Sequence, residues 1–199
     1  MLFIKRLLCT LWLIFLATAS FSQTSYKDSL DSYIKSYIQN HEVVKGEDRK
    51  ELHFYPVDPG YRVMASFERT KNGQWFEMAT SGKIKKTFRV YGTISFTLND
   101  TLVRMNLYES QALMGRSEYN NYLFLPFTDA TTGVETYESG RYIDLETFDI
   151  KNNQVIVDFN KAYNPYCAYV SGVYNCPIPP PQNHLTVAIR AGEMSYGKH

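Results

Sequence analysis

A recurring turn signal constrains this chain more than any other feature. Asn72-Gly73, Asn99-Asp100 and Asn152-Asn153 each stand between runs of strand-like sequence. Both central residues of a type I′ turn need positive φ, which Asn, Asp and Gly tolerate, and the twist of that turn suits two antiparallel strands. The flanking runs fit. In YRVMASFER, Tyr61, Val63, Ala65 and Phe67 alternate with Arg62, Ser66 and Glu68, and Ile94, Phe96 and Leu98 alternate before the second turn. LVRMNLYES returns from that turn, and the third separates RYIDLETFDI from QVIVDF. Period-two alternation is the mark of a half-buried strand. Three such turns predict a meandering antiparallel sheet, with HLTVAIR, residues 184–190, as its last strand.

The period differs before this region. Tyr26, Leu30, Tyr33, Ile34, Tyr37 and Ile38 recur at spacings of three and four, which makes one face of an amphipathic helix. HEVVKGEDRKE follows as a charged connector, and PIPPP at 177–181 is an extended run with few free N–H donors. The expected fold is therefore mainly β: an antiparallel sandwich or small barrel with an N-terminal amphipathic helix.

The first residues carry an address. Lys5 and Arg6 precede an apolar run from Leu7 to Ala17 that ends in Ala19, Ser20 and Ser22, the pattern of a cleavable signal peptide over residues 1–22. The run is shorter than the roughly 20 apolar residues a spanning helix needs. Residues 23–199 are then expected to form one exported domain, periplasmic or extracellular, with no transmembrane segment. Without Lys5 and Arg6 the 21 basic residues fall to 19, against 20 acidic ones. That balance gives no reason to expect nucleic acid or a polybasic membrane contact.

Motif chemistry is sparse. The chain has no G-x-S-x-G, no G-x-x-x-x-G-K-[ST] and no G-x-G-x-x-G, and no cofactor is expected. HEVVK at 41–45 opens like a zinc-protease helix but places Lys45 where a second histidine is needed, and an ammonium has no lone pair for a metal. Cys167 and Cys176 are the cysteines left after export. In an oxidising compartment they read first as a disulfide, worth about 2.5 to 3 kcal/mol on the chain-entropy estimate. Two free thiols, or a metal site with His184, are the alternatives.

A second polar concentration is PFTDATTGVETYESGRYIDL, residues 126–145. Arg141 offers a planar fork of donors to an anion, with Asp129 and Asp144 as acceptors. Its other reading is a structural pair with one of those aspartates. The segment from Asn160 to Tyr169 adds Asn164 and the possible stacking faces of Tyr163, Tyr166 and Tyr169.

Several stretches together resemble the bacterial and archaeal family known as domain of unknown function 1684. They run from Tyr55-Pro56-Val57-Asp58-Pro59 with Tyr61, through Pro126-Phe127-Thr128-Asp129, Thr131, Gly133, Thr136-Tyr137 and Gly140-Arg141-Tyr142 with Asp144. They continue in Asp158-Phe159-Asn160, Ala162-Tyr163-Asn164-Pro165, Cys167-Ala168-Tyr169, Cys176-Pro177, Pro179-Pro180, Asn183, Leu185 and Ala191-Gly192-Glu193. His184 departs from the arginine expected there. The resemblance implies no activity, substrate or cofactor.

The expected function is binding of a small polar ligand or an envelope partner. The site would combine Asp129, Arg141, Asp144 and Asn164 with Tyr163, Tyr166 and Tyr169. The alternative is a hydrolase of envelope or extracellular glycans or esters that uses paired carboxylates from Asp129, Asp144 and Asp158.

Overall fold

The structure is a computed structural model that describes residues 25–197. The signal-peptide reading of residues 1–22 lies outside them. Helix α1 spans 25–40. Seven strands follow: β1 (Arg62–Arg69), β2 (Trp75–Met78), β3 (Lys86–Leu98), β4 (Thr101–Ser110), β5 (Tyr122–Phe127), β6 (Arg141–Glu146) and β7 (Gln154–Asp158). They form one antiparallel sheet in the order β6-β5-β4-β3-β1-β7, with β2 also paired to β3. The sheet curls into a half-barrel, and β6 and β7 line opposite sides of an open cleft of about 410 Å³.

The interior of the curl is the main core. Ile94, Phe96 and Leu98 from β3, Val103, Met105 and Leu107 from β4, and Leu123, Leu125 and Phe127 from β5 meet there. A bulge in β3 creates a second core on the other face. Val90 pairs with Tyr108, but Gly92 pairs with Leu107, so one extra residue lies between them. Side chains alternate along a strand, and an inserted residue reverses which parity faces inward. Phe88 and Val90 therefore join Tyr108, Phe124 and Tyr142 in an outer aromatic cluster.

The turn at Asn99-Asp100 forms as expected, with φ of 48° and 58° and Leu98 opposite Thr101. Asn152 and Asn153 also take positive φ, 52° and 58°, between the bridged pair Lys151 and Gln154. The Asn72-Gly73 hairpin does not form. Both β1 and β2 run antiparallel to β3, against 92–95 and then 86–89, so the chain bends there and continues in the same direction. A Cβ on Gly73 would lie 2.5 Å from the Val90 carbonyl oxygen, so close approach to the bulge is what requires glycine at this position.

Residues 184–190 are a second correction, since they form no strand. Leu185 and Ile189 enter the core as their alternation predicts. Their backbone is held by a few isolated backbone bonds, Leu185 N to the Thr128 carbonyl at 2.8 Å and Ala130 N to the Val187 carbonyl at 3.3 Å, and by side chains, not by a continuous ladder. Ile189 N donates to Asp129 Oδ1 at 3.1 Å, and Arg141 Nη2 donates to the Ile189 carbonyl at 2.8 Å. No described helix is long and apolar enough to cross a membrane.

Candidate functional site

The predicted site residues separate into two groups. Arg141 and Asp129 are fully buried and form an ion pair at 3.0 Å. Arg141 Nη1 also donates to the carbonyls of Ala191 and Glu193, while Asp129 Oδ1 accepts from the backbone and hydroxyl of Thr131. The guanidinium is thus enclosed by protein carbonyls, and the expectation that it anchors a solvent-borne anion is corrected: it clamps residues 189–193 to the sheet. Asn164 is likewise fully buried, its backbone N–H donating to Glu193 Oε2 at 2.8 Å and its Nδ2 to the Met194 carbonyl at 2.8 Å. Tyr169 faces inward too, donating to Glu193 Oε1 at 2.7 Å.

Asp144, Tyr163 and Tyr166 do share an open cleft of about 410 Å³. Strand alternation puts Asp144 on the outer face of β6 with Tyr142, opposite the inward Ile143 and Leu145. Tyr163 is fixed beside it by two backbone hydrogen bonds with Tyr142, at 2.9 and 3.0 Å. Its hydroxyl donates to Asp144 Oδ1 at 2.8 Å. Tyr122 of β5 does the same at 2.8 Å. Asp144 stays accessible to solvent, and no ion pair to it forms among the described residues. The crowding at the foot of the cleft raises its carboxyl above the ordinary aspartate range, against the lowering effect of the two phenols.

Helix α1 supplies the opposite wall. Tyr33 and Tyr37 lie one turn apart on one face, and His41 continues that line just past the helix end. The sequence shows these tyrosines as an apolar helix face; their second role, lining a cleft, needs the partner surface to become visible. His41 Nδ1 accepts from the backbone of Val43 and Val44 at 3.3 and 2.9 Å, so its remaining proton sits on Nε2. That nitrogen is buried without a hydrogen-bond partner among the described residues. Burial first, then Lys45 and Arg49, lower the imidazole to about 4, so it is neutral at pH 7. Glu42, which accepts from the Tyr166 hydroxyl, is the second carboxylate of the cleft. No Lys or Arg lines it.

Beneath the cleft lies Glu193, fully buried; the sequence marks it within the resembling stretch Ala191-Gly192-Glu193 but gives it no role, because a lone glutamate carries no spacing signal. Tyr37, Tyr169 and the Asn164 backbone all donate to it. Burial nevertheless pushes its carboxyl up to about 7.

Of the three carboxylates considered for hydrolysis, Asp129 is ion-paired inside the protein. Asp158 is buried and accepts from Tyr26 Oη at 3.0 and 2.9 Å and from the Asn160 backbone at 3.1 Å. Asp144 alone of the three faces the tyrosine-lined cleft. Cys167 and Cys176 are joined in a disulfide, so their sulfurs are not available as thiolate ligands, and His184 Nδ1 lies 3.0 Å from the Thr128 hydroxyl.

Fold and site together define a curled antiparallel β protein with a buried arginine clamp and a helix that walls an acidic tyrosine cleft. Residues 47–194 match the family described as Protein of unknown function (DUF1684), and the chain belongs to that family. It is also similar to an uncharacterized protein of Haloarcula marismortui whose structure was solved in solution by NMR. That likeness has 28% identity and a TM-score of 0.66, and it covers 89% of this chain and 98% of the other. Comparison with curated proteins gives no match.

Proposed function

We propose that this is an exported protein that binds a small polar ligand, specifically an organic cation, in the cleft between α1 and β6. Export rests on the signal-like residues 1–22, with the disulfide in keeping with an oxidising compartment. One observation carries the ligand assignment: the cleft combines Asp144 and Glu42 with Tyr33, Tyr37, Tyr163 and Tyr166, and no Lys or Arg is among its lining residues. Carboxylates supply the countercharge for an ammonium group, and tyrosine faces attract it through their ring quadrupoles. Lys161, which lines the neighbouring cleft between β6 and β7, already holds its ammonium 5.4 Å from the Tyr33 ring centre, so Tyr37, Tyr163 and Tyr166 are the faces left to a ligand.

The test is calorimetric titration of the purified protein with choline, and with acetate and glucose for comparison. Saturable choline binding that weakens about tenfold in Asp144→Asn supports the reading, since a charge-assisted contact of this kind is worth roughly 1.5 kcal/mol. Equal binding of choline by the wild type and Asp144→Asn would remove it, as would preference for acetate.

A further inference from the structure

A different cleft, larger than the α1 cleft at about 610 Å³, lies on the outer face of the sheet. It opens where β4 and β5 separate. These strands share one register pair, Tyr108 with Phe124, and the turn after β4, Gln111–Leu113, lines the cleft together with Tyr122 and Phe124 of β5. On the other side of that pair Asn183 bridges the two strands, bonding to both backbone groups of Asn106 and to the Pro126 carbonyl, whereas Ser110, Tyr122 and Phe124 line the cleft.

The walls are apolar and preformed. Phe88 and Phe124 stack at 5.5 Å, and Phe124 meets Tyr142 edge-on at 4.7 Å. Pro177 closes one end, held over Tyr142, whose hydroxyl donates to the Pro177 carbonyl. No acidic residue lines this cleft, while Lys85 and Lys86 stand on its rim. Lys85 is engaged with Glu77 at 2.8 Å. The Lys86 ammonium forms no ion pair among the described residues, and partial burial lowers it.

We propose that this cleft binds a monomeric amphiphile whose apolar body lies over Phe88 and Phe124 and whose carboxylate meets Lys86. The volume lies within the range of small-molecule sites, and the lining has their usual composition of apolar walls with one placed charge. Its charge is opposite to that of the α1 cleft. Tyr163 borders both clefts, but neither assignment depends on the other.

Octanoate is the probe, with octanol as its uncharged counterpart, followed by calorimetry on the full exported protein. The expected result is one saturable octanoate site, bound about tenfold more tightly than octanol, with that advantage lost in Lys86→Gln. Ala112→Phe places a ring on the exposed turn that borders the cleft and is expected to abolish binding, while choline titration stays as in the wild type. Equal affinity for octanoate and octanol, unchanged octanoate binding in Lys86→Gln, or no saturable site at all would each overturn the proposal. These variants leave Asp144 and Glu42 untouched, so failure here is distinguishable from failure of the cation site.

Discussion

Arg141 does the work of a strand neighbour. Its guanidinium accepts no proton from the segment it holds; it donates to the carbonyls of Ile189, Ala191 and Glu193 while Asp129 receives the Ile189 N–H. A peptide ladder would meet the same groups one residue at a time. Replacing Arg141 by Met is expected to cost about 3 to 5 kcal/mol, because it leaves the Asp129 charge buried without its counter-ion and three carbonyls without their donor. Arg141→Lys should recover little of this, since one ammonium cannot reproduce a planar fork. Urea unfolding at pH 7 measures both, and a loss under about 1 kcal/mol in Arg141→Met would contradict the clamp. The sequence marks Arg141 and Asp129 as chemically important and offers the structural pair as one reading. It cannot choose between pair and anion anchor, because that depends on whether residues 189–193 cover the guanidinium, a contact across about fifty positions.

At the level of elements, local signals succeeded where the structure is local. The Asn99-Asp100 hairpin and helix α1 follow directly from turn chemistry and period. Asn72-Gly73 misled because its glycine answers to Val90 across the sheet, and 184–190 misled because inward alternation does not say what satisfies the backbone. The bulge leaves little trace in sequence beyond Gly92, where a Cβ would sit 2.4 Å from the Phe67 ring and 2.6 Å from the Glu68 carbonyl oxygen. Gly92→Ala is therefore expected to destabilise the fold by more than the usual glycine-to-alanine change in a strand and to displace Phe67 in the main core, read as lower thermal stability and altered aromatic circular dichroism. The loop closed by Cys167 and Cys176 is tied to the β2–β3 connection, with Ser81 N donating to the Cys176 carbonyl at 2.9 Å and Ile84 N to Asn175 Oδ1 at 3.1 Å. Reduction should add about 2 Da to the intact mass and lower stability by roughly 2.5 to 3 kcal/mol. Two reactive thiols in the native, unreduced protein would show that the pair is not bonded.

Across the whole molecule, two buried groups oppose each other in pH, and both lie where α1 meets the clamped C-terminal segment. Glu193 moves from 4.5 to about 7, so between those values the native protein holds a proton that the unfolded chain has released. Its contribution therefore falls as pH rises through that window, by about 3 kcal/mol in all, and is level above it. His41 moves from 6.5 to about 4, and there the unfolded chain binds a proton that the native protein refuses. Its contribution falls as pH drops through its own window. Where the windows overlap, from 4.5 to 6.5, the two slopes cancel in large part. Asp144, raised but accessible, adds weakly in the direction of Glu193. Glu193→Gln should consequently unmask the histidine and make stability climb from pH 4 to 6.5. His41→Asn, which keeps an acceptor for the Val43 and Val44 N–H groups, should unmask the glutamate and make stability decline from pH 4.5 to 7. Urea unfolding at unit pH steps from 4 to 8 distinguishes them. Parallel profiles for the two variants would mean that these groups are not the opposed pair, whereas crossed slopes would place the pH response of the fold at the helix that walls the tyrosine-lined cleft.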